Sequence, residues 1–142
     1  MGSYTLAAGD LNDDGRVDIA LAETRDQWVD VIMNTGKRDD PGVPVRYSVK
    51  NQELSAITVG DLDRDGRLDV VAVGASSARL LRNIGAGKLA YLQVLPLMPS
   101  QSMNTAVLRD LDGDGRLDLA IGYLQTLNPL KYAVAVFLNR TP

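Results

Sequence analysis

The chain has 142 residues, 45% hydrophobic and 23% charged, with a formal net charge of −3 and neither cysteine nor histidine. That is enough for one ordinary core, and the composition is not that of a disordered chain. Without those two residue types there is no disulfide, no thiolate metal site and no Ser-His or Cys-His nucleophile, and the commonest general base is missing. No stretch is apolar for long enough to cross a bilayer, so no membrane insertion is expected. Met1-Gly2-Ser3 is neither basic nor followed by a signal-peptide core.

In chain order, Tyr4 to Gly9 reads as a short strand that runs into an acidic loop, and Ile19 to Glu23 as the strand that leaves it. From Trp28 to Met33 the side chains alternate with the period of a strand, Trp28, Asp30 and Ile32 against Val29, Val31 and Met33. Asn34-Thr35-Gly36 closes it, residues 37–44 are turn-rich, and Val45 to Val49 is a fourth strand. The order then repeats with strands at Ala56–Gly60, Val70–Gly74, Ala78–Arg82 and Ala90–Leu95. A third round has Thr105–Leu108, Leu119–Tyr123, a turn through Asn128-Pro129 and Tyr132–Leu138, without a fourth strand. The continuous Val/Leu/Ala runs after each loop point to burial on both faces, and Arg79 and Arg82 to a more exposed outer strand.

The repeating feature is a nine-residue loop of the form D-x-(D/N)-x-D-G-x-x-D, at Asp10–Asp18, Asp61–Asp69 and Asp110–Asp118, starting 51 and 49 residues apart. Such spacing marks a propeller, a solenoid or an array. Side-chain oxygens at positions 1, 3, 5 and 9, with a glycine at 6 for the sharp turn, suit a hard cation, above all calcium. The loops hold 12 of the 18 acids and 4 of the 15 basic residues, a local net charge of −8. The remaining +5 is scattered, so no nucleic-acid surface is expected. The rival helix-loop-helix calcium site needs a glutamate at position 12. Here that position holds Leu21, Ala72 and Ile121, and strand-like runs flank each loop.

A strand, calcium loop, strand, hairpin and two further strands, repeated about every 50 residues, resembles the FG-GAP/VCBS repeat family. These are the calcium-loop β-propeller blades of integrin α-chains and of many bacterial secreted proteins. The resemblance rests on Gly9-Asp10 to Ala20, Gly60-Asp61 to Ala72 and Arg109-Asp110 to Ile121, with the Asn34-Thr35-Gly36 and Asn83-Ile84-Gly85 turns. It implies an all-β fold of four-stranded antiparallel blades, with blade 1 at about 4–50, blade 2 at about 55–98 and blade 3 at about 104–139, the last lacking its outer strand. It also implies one calcium ion per repeat, three per chain. The ligands would be Asp10, Asn12, Asp14, the Arg16 carbonyl and Asp18; Asp61, Asp63, Asp65, the Arg67 carbonyl and Asp69; and Asp110, Asp112, Asp114, the Arg116 carbonyl and Asp118. Loop 1, with Asn12 where the others carry Asp63 and Asp112, is expected to bind most weakly. The Phe-Gly pair that names the family is absent; Ala8-Gly9, Val59-Gly60 and Leu108-Arg109 stand in its place.

The expected function is a calcium-stabilised module for binding, adhesion or scaffolding rather than an enzyme, with a carbohydrate or a protein as ligand. Alternatives are an accessory segment of a secreted carbohydrate-active enzyme or lectin, and a natural or engineered propeller building block. Three blades fall short of the ~4–8 of a closed propeller, so a homodimer giving six blades is expected. The calcium loops and the resemblance point to the cell exterior or surface, although the chain carries no export signal. Trp28 is expected between blades rather than as a sugar platform, Glu23, Asp26 and Asp30 in a solvated turn rather than as catalytic acids, and Asn139-Arg140-Thr141 as a chance glycosylation match.

Overall fold

The computed structural model describes residues 4–24, 27–49, 53–97, 105–127 and 129–140. Eleven strands form three antiparallel sheets among these residues. The first sheet joins β1 (Tyr4–Gly9), β2 (Asp18–Glu23), β3 (Trp28–Ile32) and β4 (Val45–Ser48) in sequence order. The second joins β5 (Leu54–Gly60), β6 (Asp69–Gly74), β7 (Ser77–Asn83) and β8 (Leu89–Pro96) in the same way. Among the described residues the third holds β9 (Thr105–Arg109), β10 (Asp118–Leu127) and β11 (Leu130–Phe137), three strands as expected. The sheets are propeller blades: each acidic loop joins the first two strands of its blade, in register from Gly9 opposite Asp18, Gly60 opposite Asp69 and Arg109 opposite Asp118.

Blades stack through their first strands, with β1 against β5 and β5 against β9. Because strand side chains alternate, each blade offers one apolar row to each neighbour. Ala20, Ala22, Val29 and Val31 of blade 1 meet Ile57, Val70, Ala72 and Leu81 of blade 2 in one core. Val71, Val73 and Ala78 on the other side of blade 2 meet Leu108, Leu119 and Ile121 of blade 3 in a second. Every residue of β6 is buried, as expected for a strand between two sheets. In β2, Ile19 is 38% exposed, because no described blade covers that side of blade 1.

Two expectations are corrected. β7 is not an outer strand: it lies between β6 and β8, and its arginines are half-buried because each has a partner. Arg79 stacks over the Tyr91 ring at 5.6 Å, while Arg82 reaches the second acidic loop. Trp28 is not packed between described blades but stands on the open side of blade 1, 39% exposed, with the Arg46 guanidinium 5.9 Å from its ring centre. Trp28 follows the same alternation as Ile19, so it faces away from blade 2.

Candidate metal centre

Each loop reverses direction through two left-handed residues. Position 4 is Asp13, Arg64 or Gly113 (φ 61°, 60° and 80°), and position 6 is Gly15, Gly66 or Gly115 (φ 80°, 87° and 82°). Glycine meets no Cβ penalty there, which is why position 6 keeps it in all three copies. The position-1 carboxylate organises the turn. Asp10 accepts the N–H of Asp14 at 3.1 Å and of Gly15 at 2.7 Å, and Asp61 accepts those of Asp65 and Gly66 at 3.1 and 3.0 Å. Asp110 accepts Gly113 and Gly115 at 2.7 and 2.9 Å. Position 5 accepts the N–H two residues on, from Arg16, Arg67 and Arg116 at 2.9, 3.0 and 2.9 Å.

The position-9 aspartates, Asp18, Asp69 and Asp118, are buried beneath the loops. One oxygen of each accepts the N–H of the loop leucine, Leu11, Leu62 or Leu111, at 2.9, 3.0 and 2.9 Å. The other accepts the N–H of an asparagine at or just past the end of the third strand, Asn34, Asn83 or Asn139, at 2.7, 2.8 and 2.8 Å. The same carboxylate therefore ties the loop to the third strand of its own blade. A carboxylate has about four lone-pair sites, so two amide donors leave room for a cation.

The asparagines carry the tie onward, a role the sequence reading missed. Asn83 Nδ2 donates to Leu68 O in its own blade at 3.1 Å and to Leu11 O, in the loop of blade 1, at 2.8 Å. Asn139 Nδ2 likewise donates to Leu117 O at 3.3 Å and to Leu62 O, in the loop of blade 2, at 2.6 Å. Asn139, which the sequence offers as a glycosylation match, is thus committed to a blade junction. The signal available beforehand was only the recurrence of an asparagine at the end of the third strand.

Arginine also shapes the loops. At position 7, Arg16, Arg67 and Arg116 fold back so that Nε donates to the carbonyl of Asn34, Asn83 and Asn139 at 2.9, 3.1 and 3.0 Å. Each guanidinium also meets the position-5 carboxylate: Arg16 with Asp14 at 2.5 Å, Arg116 with Asp114 at 2.7 Å, and Arg67 with Asp65. Loops 2 and 3 have a second cation. Arg82 lies 2.5 Å from Asp63 and 3.1 Å from Asp65, and Arg140 lies 2.9 Å from Asp112 and 3.2 Å from Asp114. In loop 1 the position-3 residue is Asn12, which is uncharged and donates to Asp14 at 2.9 Å. The position-3 carboxylate of loops 2 and 3 is thus matched by an extra guanidinium, which narrows the difference in ligand charge behind the expected weakness of loop 1.

These contacts set the ionisation of the loops. Burial works against ionisation of Asp10, but the amides of Gly15 and Asp14 outweigh it and hold the group below its ordinary value. Asp65 shifts down the same way, with burial opposed by the Arg67 amide and Arg82. In Asp114 the Arg116 amide is the main cause of a downward shift. Asp69 goes the other way, because burial dominates over its two amide donors. Arg82 is held more firmly charged by Asp65 and Asp63.

The donor set fits a hard divalent cation. Oxygen atoms of Asp61, Asp63 and Asp65 lie within 4.8 Å of one another, and so do those of Asp110, Asp112 and Asp118. In the first loop, position 3 offers an amide oxygen in place of a third clustered carboxylate. Carboxylate oxygens in a chain without imidazole or thiolate ligands suit calcium or magnesium rather than a transition metal. The FG-GAP-like repeat matches residues 10–72 and again 61–121, together well over half of the chain. The chain belongs to the FG-GAP-like repeat family. Each match begins at the first aspartate of one acidic loop and ends in the strand after the next, so the FG-GAP-like unit spans two clamped hairpins. No curated protein matches the chain.

The remaining carboxylates singled out in the sequence lie apart from the loops, and Glu23 of β2 and Asp30 of β3 line one recess. Asp30 is held by Arg46 through two bonds of 2.7 and 2.8 Å, Glu23 shares a recess of about 170 Å³ with Trp28 and Tyr4, and Asp26 lies outside the described residues. Among the described residues no helix is long and apolar enough to cross a membrane.

Proposed function

We propose that this chain is a calcium-stabilised β-propeller module that acts by binding, in adhesion or scaffolding, and performs no catalysis of its own. The observation that carries this reading is the shared construction of the three loops, each with a carboxylate at position 9 fixed to the third strand and acids at positions 1 and 5, while the asparagines of blades 2 and 3 cross to the loop of the preceding blade. One calcium ion per loop would draw the remaining oxygens together and stiffen the hairpin on which each blade is built. The ion's part is structural, because the loop acids are engaged by backbone amides and guanidinium groups. Such loops fill where calcium is abundant, with dissociation constants of about 10⁻⁴–10⁻³ M for extracellular modules, which favours a place outside the cell or on its surface.

A protein suits the available cleft better than a sugar. Between blades 2 and 3, a cavity of about 490 Å³ is lined by Leu80, Leu92, Leu95 and Phe137, with Asp63 and Arg140 among its polar residues. It lies beside β11, whose outer edge carries no described strand. An extended segment could pair with that edge and place apolar side chains in the cavity. A glycan array run beside a peptide array tests the choice. Retention of apolar extended peptides with no glycan signal is the expected outcome, and strong glycan binding would instead support the reading as an accessory segment of a carbohydrate-active enzyme.

A further inference from the structure

We infer that the two open ends of the blade stack are made for each other, so that a second copy of this chain packs its blade 1 onto blade 3 of the first and closes a six-blade ring. The inference rests on the propeller reading but not on the calcium reading. The two internal junctions show what a junction requires. At each, the loop leucine at position 8 of the later blade lies over the glycine that ends the first strand of the earlier one. A Cβ on Gly9 would stand 2.5 Å from Leu68 Cδ1, and one on Gly60 would stand 2.8 Å from Leu117 Cδ1. The loop leucine at position 2 is then covered, Leu11 to 1% and Leu62 to 8% exposure, and its carbonyl takes the asparagine of the next blade.

The open ends carry the same parts in altered sizes. On blade 3 the glycine is replaced by Arg109, whose Cβ would collide with a position-8 leucine. On blade 1 the position-8 residue is Val17, the only one of the three that lacks Cδ atoms, and it is 58% exposed. The larger residue on one end thus meets the shorter on the other. The hydrogen-bond partners are also complementary. Asn34 Nδ2 makes only the in-blade half of the pattern, to Val17 O at 3.2 Å, while no described residue donates to Leu111 O. Leu111 itself is 48% exposed.

The apolar rows complete the match. Leu6, Ile19 and Trp28 lie open on blade 1, and Val107, Val134 and Val136 on blade 3. These are the strand positions that meet between blades inside the chain, and an uncovered apolar face of this extent calls for a partner. Two copies of the three described blades give six, inside the ~4–8 blades of closed propellers, whereas three copies would give nine. The contact is head-to-tail and closes after two copies, so each ring contains two identical junctions.

Light-scattering mass of the full chain in calcium, across dilution, tests this. The expected mass is twice the 15.3 kDa of one chain. Val17→Leu restores the long residue against Arg109, and overpacking of this kind is expected to weaken the dimer about tenfold or more. Val17→Leu combined with Arg109→Gly recreates the internal Gly–Leu fit and should return the dimer to near its original affinity. Circular dichroism of each variant confirms the fold. A monomer at all concentrations overturns the inference, as does a dimer indifferent to Val17→Leu or not rescued by Arg109→Gly. Failure of the calcium reading shows separately, as melting indifferent to a chelator.

Discussion

Replacing Asn83 by alanine isolates the bond that joins blades. Asn83 is fully buried, and its side chain donates to Leu11 O and Leu68 O and accepts the N–H of Gly85 at 3.0 Å. Truncation leaves all three groups without that partner. The residue of Leu11 is 1% exposed, so its carbonyl has little access to water, whereas Leu68 and Gly85 are half-buried. With about 1–3 kcal/mol for each unsatisfied buried group, and less for the two that water can reach, the expected loss is about 2–4 kcal/mol. For a domain of this size that lowers the melting temperature by about 5–15 °C. The control is Asn34→Ala in dilute solution, where the groups lost are exposed and the cost should stay below about 1 kcal/mol. Urea unfolding of both variants at fixed calcium measures the difference. Equal losses, or a loss at Asn83 under about 0.5 kcal/mol, would refute the reasoning that the crossing asparagine holds the junction.

Three further outcomes follow from the same contacts. Gly60→Ala places a Cβ 2.8 Å from Leu117 Cδ1 and 2.9 Å from Leu108 Cδ1, so thermal melting should show a destabilisation of about 1–3 kcal/mol; unchanged melting would show that the junction has slack. Arg82→Gln removes the cation beside Asp63 and Asp65, so calorimetry should find tighter calcium binding at the second loop by about two- to tenfold, and weaker binding would mean that Arg82 orients the ligands. Asp10, Asp65 and Asp114 have folded values below the ordinary 3.8, so their contribution is complete above that pH and disappears as the pH falls through their lowered values. Asp69, raised by burial, has the opposite sign and gains as it protonates. Metal-free stability measured by urea titration should therefore fall below about pH 4, and Asp69→Asn should leave that acid loss in place.

Much of the architecture was legible because the three loops are local objects. A glycine at position 6, acids at odd positions and β-branched flanks fall within a dozen residues, and the strand pattern around them is periodic. What escaped the sequence was the wiring between blades. The bonds of Asn83 to Leu11 and of Asn139 to Leu62 link residues 72 and 77 positions apart, and no local pattern states such a pairing. The same reason hid the partners of Arg82 and Arg140, whose sites on the acidic loops depend on where the third strand ends. Trp28 misled for a related reason: its strand position is an inter-blade one, but it lies on the side that blade 2 does not cover.

The central claim is that the acidic loops are cation clamps on which the fold depends. Thermal unfolding of the full chain in millimolar calcium, and again after removal of calcium with a chelator, tests it most directly. A site filled at 100 times its dissociation constant adds about 2.7 kcal/mol, so calcium should raise the melting temperature by several degrees, with magnesium weaker. Identical melting with and without chelator, together with no heat of calcium binding, would contradict the account.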